Sequence, residues 1–303
     1  MYQVKHPSQS DFVAVRGLRY HVRRWGQPQP GQRPWVMVHG WMDVAASFQF
    51  VVDALPSLPF VIAPDWRGFG HTASGGADCF WFQDYLADLD ALLAHYAPGD
   101  APVNLIGHSM GGNIAMLYAG VRPQRVARLV NLEGFGLPAT VPTQAPGRLT
   151  QWLDEVRACR SGALQLKTYP SLEAVAQRLM KTNRHLSADK ARWLAQHWAQ
   201  ETAPGCWQIL GEAGHKVVNP QLYRVEEIQA IHQRITAPVL MVEAEDESMT
   251  QWWRGNFTLA EHRQRLSVLN QVRIERVDGC GHMLHHDQPE AVAALLQAFL
   301  SAS

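Results

Sequence analysis

Cysteine is scarce in this chain of 303 residues. There are four (Cys79, Cys159, Cys206 and Cys280), widely spaced and with no CxxC pair, which excludes a disulfide scaffold and the common zinc spacings. Long apolar runs are also missing. No window reaches the roughly 18 uninterrupted apolar residues that suggest a membrane-spanning helix, and residues 1–11 contain no apolar stretch of the kind that directs export. A cytoplasmic protein without a membrane span is therefore expected. Nor does one sign of charge dominate: 27 Lys and Arg balance 27 Asp and Glu, so no global field favours nucleic acid or acidic lipid. No Lys/Arg cluster suggests a polyanionic substrate, and there is neither an internal repeat nor a low-complexity tract. What is abundant is ordinary core material. With 47% apolar residues and this length, about three quarters of the unfolded surface can be buried, which excludes disorder as the main state.

The apolar pattern alternates between strand and helix. Residues 12–24 read as two short strands turning at Gly17. Trp35–Val38 and Phe60–Ala63 are short runs suited to strands buried on both faces. Helices are expected over Val44–Leu55, with Asp43 as N-cap, and over Phe80–Tyr96, which stops before Pro98-Gly99. Val103–Ile106, Gly111–Val121 and Val126–Leu132 continue as strand, helix, strand. Such alternation implies βαβ units around a parallel sheet. Between 137 and 237 the pattern changes to helical stretches without a convincing strand. It resumes with a strand at 238–242, a helix near 259–269, a strand at 272–277 and a terminal helix from Pro289 to Leu300.

Chemistry-bearing residues fall at the joints of this pattern. Gly107-His108-Ser109-Met110-Gly111-Gly112 lies between a predicted strand and a predicted helix. Glycines two before and two after the serine let neighbouring backbones approach a sharp turn. The turn exposes Ser109 at a helix N-terminus, where the dipole favours developing negative charge. His39-Gly40-Trp41 follows an earlier strand, where a turn can direct a backbone N–H toward the site to pair with that of Met110. Asp65-Trp66-Arg67-Gly68-Phe69-Gly70 ends the next strand and reads as a loop clamp held by Asp65 and Arg67. His282 follows the last predicted strand. A serine hydroxyl needs a base titrating near neutrality, and position selects His282 from the fourteen histidines present. His285 and His286 lie close by, but no carboxylate or cysteine cluster completes a ligand set with His282, so neither a metal nor a cofactor is expected.

These motifs, in this order and at this spacing, resemble the α/β-hydrolase superfamily, and within it the capped serine esterase-like members. The resemblance spans residues 34–300 apart from the insertion. It implies an α/β-hydrolase fold: a mostly parallel central sheet flanked by helices, with a helical cap inserted after the sixth strand. Residues 1–136 and 238–303 would form the core and 137–237 the cap. It also implies Ser109 as nucleophile, His282 as base, and the Trp41 and Met110 amides as the oxyanion hole. Haloalkane dehalogenases and epoxide hydrolases of the superfamily carry Asp where this chain has Ser109, which disfavours both activities.

The acid has more than one candidate. Family members commonly place Asp after the strand at 238–242, following a Gly. Here the segment is Glu243-Ala244-Glu245-Asp246-Glu247, with Ala244 in the glycine position and Glu247 in the acid slot. A second family location lies just after the strand following the serine, and Glu133 occupies it. A carboxylate at a buried strand end is costly without a partner, whereas the acidic run reads as a solvated loop. Glu133 is preferred, with Glu247 and Asp246 as alternatives. The implied function is hydrolysis of a small, largely apolar carboxylic ester, or of a thioester or amide, through an acyl-enzyme. Hydrolysis of a carbon–carbon bond in a ring-cleavage product and a ligand receptor on a hydrolase scaffold are the alternatives. The tryptophans of the insertion (Trp152, Trp193, Trp198, Trp207), with Tyr169 and Tyr223, either line an apolar pocket or hold the cap helices together and onto the core.

Overall fold

The computed structural model describes residues 2–247 and 252–301. Its centre is an eight-stranded sheet. β1 (Gln9–Val15) and β2 (Leu18–Trp25) form an antiparallel hairpin at one edge. Its tight turn places both Arg16 and Gly17 at positive φ, the geometry that matches the twist of the flanking strands. β2 pairs antiparallel with β4 (Val61–Pro64). From there the sheet is parallel through β3 (Trp35–Val38), β5 (Val103–His108), β6 (Val126–Leu132), β10 (Val239–Ala244) and β11 (Val272–Val277).

The central strands are apolar on both faces because each face is covered. Val36 and Val38 enter one apolar cluster with α2 (Phe82–Tyr96) and α3 (Met110–Val121), while Trp35 and Met37 enter a second with α1 (Gln49–Ala54). Leu105 and Ile106, and Leu129 and Val130, divide in the same way, as the two-residue period of a strand requires. The final helix, Pro289–Leu300, completes the second layer.

Two local expectations are corrected. Residues 44–55 do not form one helix: a 3-10 turn over Ala45–Phe48 precedes α1. Asp43 accepts the hydroxyl proton of Ser47 instead of capping a helix. The intervening segment is not strandless either. Besides α4 (Ala145–Arg160), α5 (Leu172–Thr182), α6 (Ala188–Trp198) and α7 (Val225–His232), it holds a small antiparallel sheet. That sheet comprises β7 (Thr168–Tyr169), β8 (Ala199–Ala203) and β9 (Cys206–Ile209), in the order β7-β9-β8. Four of the five β8 residues are exposed, so the strand leaves no apolar alternation in the sequence.

The intervening segment rests on the core through side chains from both. Val44, Ala46 and Phe50 share an apolar cluster with Val175, Leu179, Trp193 and Leu194. Trp198 and Trp207 pack against it, and Trp198 Nε1 donates to the Met42 carbonyl at 3.1 Å. His215 is stacked between Phe69 and Phe80, with ring centroids 3.6 and 3.7 Å away.

The strand order brings the motifs together. From β3 the chain goes to β4 on one side, while β5 lies on the other. This reversal opens a crevice at the carboxyl ends of the strands, where open α/β sheets bind ligands. Val38 is in register with Gly107, His108 with Leu132, and Leu132 with Val242. The segments that follow β3, β5, β6 and β10 therefore emerge side by side.

Candidate active site

Ser109 occupies the turn between β5 and α3 with φ 52° and ψ −116°, a strained conformation for a residue with a side chain, costing on the order of 1–3 kcal/mol. Three contacts over-determine it. Its N–H donates to the Leu132 carbonyl at 2.8 Å, and its own carbonyl accepts from Asn113 N–H at 3.0 Å. The neighbouring glycines supply the third. A side-chain carbon on Gly107 would strike the Gly111 carbonyl, and one on Gly111 would strike the Val38 carbonyl. Only hydrogen at both positions lets β5 run this close to α3, and α3 this close to β3.

The turn that carries Gly40 and Trp41 lies directly against the serine. A side-chain carbon on Gly40 would stand 3.1 Å from Ser109 Cβ and 2.9 Å from His108 Nδ1. Met110 is the first residue of α3, so its N–H belongs to the set that a helix leaves unpaired. The Trp41 indole is half exposed and donates to the His215 carbonyl at 3.1 Å. His39, in contrast, is locked into the scaffold. Its Nε2 accepts from Trp66 N–H at 2.9 Å and its Nδ1 donates to the Gly40 carbonyl at 2.8 Å. Burial pushes it down to about 4, so it is neutral.

The Asp65 loop is clamped in the same neighbourhood. Asp65 accepts from Ala45 N–H (2.7 Å), His71 N–H (2.9 Å) and His21 Nδ1 (2.6 Å). Burial alone would raise its pKa, but these donors carry it down to about 2. Arg67 makes two 2.6 Å hydrogen bonds to the Asp88 carboxylate. Both residues are committed to the scaffold.

The chain after β11 brings His282 back to this edge. Gly281 N–H donates to Asp287 Oδ2 at 3.0 Å, and Asp287 is tied to Asn183 of the intervening segment at 2.6 Å. The His282 Nδ1–H points at Glu133 Oε2, 3.2 Å away. Glu133 is 2% exposed, sits at φ 59°, and accepts the Ala244 N–H at 2.6 Å through its other oxygen. Asn131 pins the turn that follows: its Oδ1 accepts from Gly134 N–H and its Nδ2 donates to the Gly134 carbonyl. Burial pushes the His282 imidazole below its ordinary pKa, and the Glu133 carboxylate opposes that shift.

Asp246 and Glu243 are held by other partners. Asp246 is bound by Arg184 (2.7 and 2.8 Å) and His185 (2.9 Å), which hold its pKa below the ordinary range. Glu247 is exposed. Glu243, in the run read as a solvated loop, is instead 2% exposed and pairs with Arg263.

Two contacts of His282 are not foreseen from the sequence. Trp252 stands edge-on to His282 with centroids 4.1 Å apart. His108 donates through Nε2 to the His282 carbonyl at 2.8 Å. A cavity of about 430 Å³ opens between α3, the chain after β6 and residues 219–232, and neither Ser109 nor His282 lines it. Asn113, Phe135, Tyr223 and Trp253 line it, whereas the four tryptophans of the intervening segment do not. Arg148, Arg224 and Arg265 converge on the same cavity from distant parts of the sequence, so no run of basic residues announces them.

Comparison with known proteins gives the family of the fold. The α/β hydrolase fold family matches residues 34–289. The chain belongs to that family. Over 282 residues it is 25% identical to a serine hydrolase-like protein of Danio rerio, covering 91% of this chain and 83% of the relative. Serine hydrolase-like protein 2 of Homo sapiens is 23% identical over 304 residues, covering 96% and 93%. Among solved structures, a thioesterase domain from the curacin biosynthetic pathway superposes with a TM-score of 0.82 at 23% identity, covering 96% of this chain and 99% of that one. This α/β hydrolase is serine hydrolase-like. Among the described residues, no helix is long and apolar enough to cross a membrane.

Proposed function

We propose that the protein is a serine hydrolase that cleaves a small, largely apolar carboxylic ester, with thioesters and amides open to the same chemistry. The observation that carries this reading is the Glu133–His282 contact at 3.2 Å, at the same sheet edge as a serine held in a strained turn. Ser109 Oγ attacks the carbonyl carbon as His282 takes its proton. Glu133 keeps the proton of His282 on Nδ1 and stabilises the imidazolium that forms. The N–H groups of Trp41 and Met110 hold the tetrahedral oxyanion. His282 then returns the proton to the departing alcohol, and a water activated by the same imidazole releases the acid.

The intervening segment, 137–237, is read as a cap over this edge, and the cavity as the seat of the apolar part of the substrate. Phe82, Met116, Phe135 and Trp253 on its wall support that assignment. A cytoplasmic setting is part of the same reading, supported by cysteines that are all free thiols. The test is labelling by a fluorophosphonate probe together with turnover of a short p-nitrophenyl ester. Both are expected in the intact protein and neither in Ser109→Ala. Labelling that survives the substitution, or an unlabelled and inactive folded protein, overturns the proposal.

A further inference from the structure

Behind the His282 turn, imidazoles run inward in a file. Ring centroids are 4.8 Å apart from His282 to His108, 4.3 Å from His108 to His285 and 4.2 Å from His285 to His286. His108, His285 and His286 are 1%, 0% and 2% exposed, and Asp43 beside them is 5% exposed. Buried polar groups of this kind need partners, and counting protons shows which lack them. Ser47 donates its single proton to Asp43 Oδ2 at 2.7 Å. It therefore has only lone pairs to offer Nε2 of His285 (3.2 Å) and Nε2 of His286, and both rings must donate. His108 Nε2 donates to the His282 carbonyl, which has no proton to give. His108 and His285 are each left with a lone pair on Nδ1, and neither Nδ1 has a hydrogen-bond partner among the described residues.

We propose that Asp43, His108 and His285 form a buried site for one divalent first-row transition-metal ion, with zinc as its type. One donor atom from each of the three lies within 4.8 Å of the other two. Two imidazoles and a carboxylate form a donor set that suits zinc, copper or nickel, whereas calcium and magnesium prefer oxygen alone. Zinc bonds are about 2.0–2.2 Å long, so an ion bound here would draw the three side chains inward from their present separations. Asp43 supplies the compensating charge. The sequence hides this site because Asp43 and His108 are far from His285 along the chain, and the neighbouring His282 does not belong to the ligand set.

The experiment uses the full-length protein, stripped with a chelator and titrated with Co²⁺ by visible absorption and with Zn²⁺ by calorimetry. One ion per chain is expected, with the visible bands of a low-coordinate cobalt site. Asp43→Asn and His285→Gln should each weaken binding by about 100-fold, while His282→Ala and His185→Gln leave it unchanged. Absence of saturable binding, binding unaltered by the first pair, or binding lost with either of the second pair overturns the proposal. If the first pair fails to fold, anomalous scattering at the zinc edge from wild-type crystals decides. A peak between the three side chains supports the site, and no peak there overturns it.

Discussion

The imidazole of His108 donates a hydrogen bond to the backbone carbonyl of His282 at 2.8 Å. The residue before the serine thus fixes the loop that carries the proposed base, so serine and base share one support although they lie far apart in the chain.

His108→Phe fills the same space but cannot donate that hydrogen bond. Esterase kcat should fall by about 10- to 100-fold, the loss expected when a reacting group drifts by an ångström. Labelling of Ser109 by a fluorophosphonate should slow but remain stoichiometric. Unchanged kcat in a folded variant would show that the loop is held by other contacts.

Glu133→Gln keeps its size and loses its charge. Removing the corresponding carboxylate of a serine protease costs about four orders of magnitude, and a fall of about 10²- to 10⁴-fold in kcat is expected here. Asp246→Asn should change kcat less than about threefold, since Arg184 and His185 hold that carboxylate and exposed ion pairs contribute little. The reverse ranking, measured on one ester, would move the acid to the 243–247 loop.

The pH profile follows from the burial of His282. As a base it works only when unprotonated, so kcat/KM should rise with pH through its pKa and then level off. Burial lowers that pKa, which places the acidic limb below the ordinary imidazole value of about 6.5. Glu133→Gln removes the charge favouring the imidazolium and should move the limb lower still. A wild-type midpoint above about 7 would contradict the burial argument.

Stability should fall as pH drops from 7.5 to 5. His39, His232 and His262 are pushed down to about 4 and His215 to about 3, in each case chiefly by burial. Unfolded histidines titrate near 6.5. Below that pH the unfolded chain binds more protons, and stability declines until the folded pKa values are reached. Asp65, held at about 2, loses its contribution only in stronger acid. Asp43, raised to about 7, and Asp287, also raised by burial, work in the opposite direction, but the lowered imidazoles, His197 at about 4 among them, outnumber them. A thermal midpoint that stays flat or rises between pH 7.5 and 5 would refute this balance.

Gly111→Ala tests the packing of the serine turn. The added carbon would meet the carbonyls of Val38 and His39, which are backbone and have little room to yield. Overpacking of this kind costs about 1–3 kcal/mol, and the thermal midpoint should drop by several degrees. Ala at Gly147, where nothing lies within 4 Å, should not lower it.

Much of this arrangement is legible in the sequence because strand ends are marked twice, by an apolar run and by the turn that follows. Ser109, Glu133 and His282 each stand just beyond such a run, so their shared edge can be read before any coordinates. The antiparallel sheet at 168–209 is not legible, because its strands are short and β8 is mostly exposed. Glu243 misleads for the opposite reason: acidic neighbours suggest solvent, yet it is the strand, buried through its end, that sets its environment. The file of imidazoles is invisible because contacts between distant turns leave no spacing to read.

The proposed base hangs from one margin of the sheet. β11 is a border strand, paired on one side only through β10, and Ile274 within it is 38% exposed. Serine and glutamate, by contrast, follow interior strands. Partial opening of a protein begins where neighbours are fewest, so a brief detachment of β11 would withdraw His282 while Ser109 and Glu133 stay in place. Hydrolytic activity would then report the zipping of a single margin, and it would vanish on warming before the interior of the sheet had begun to melt.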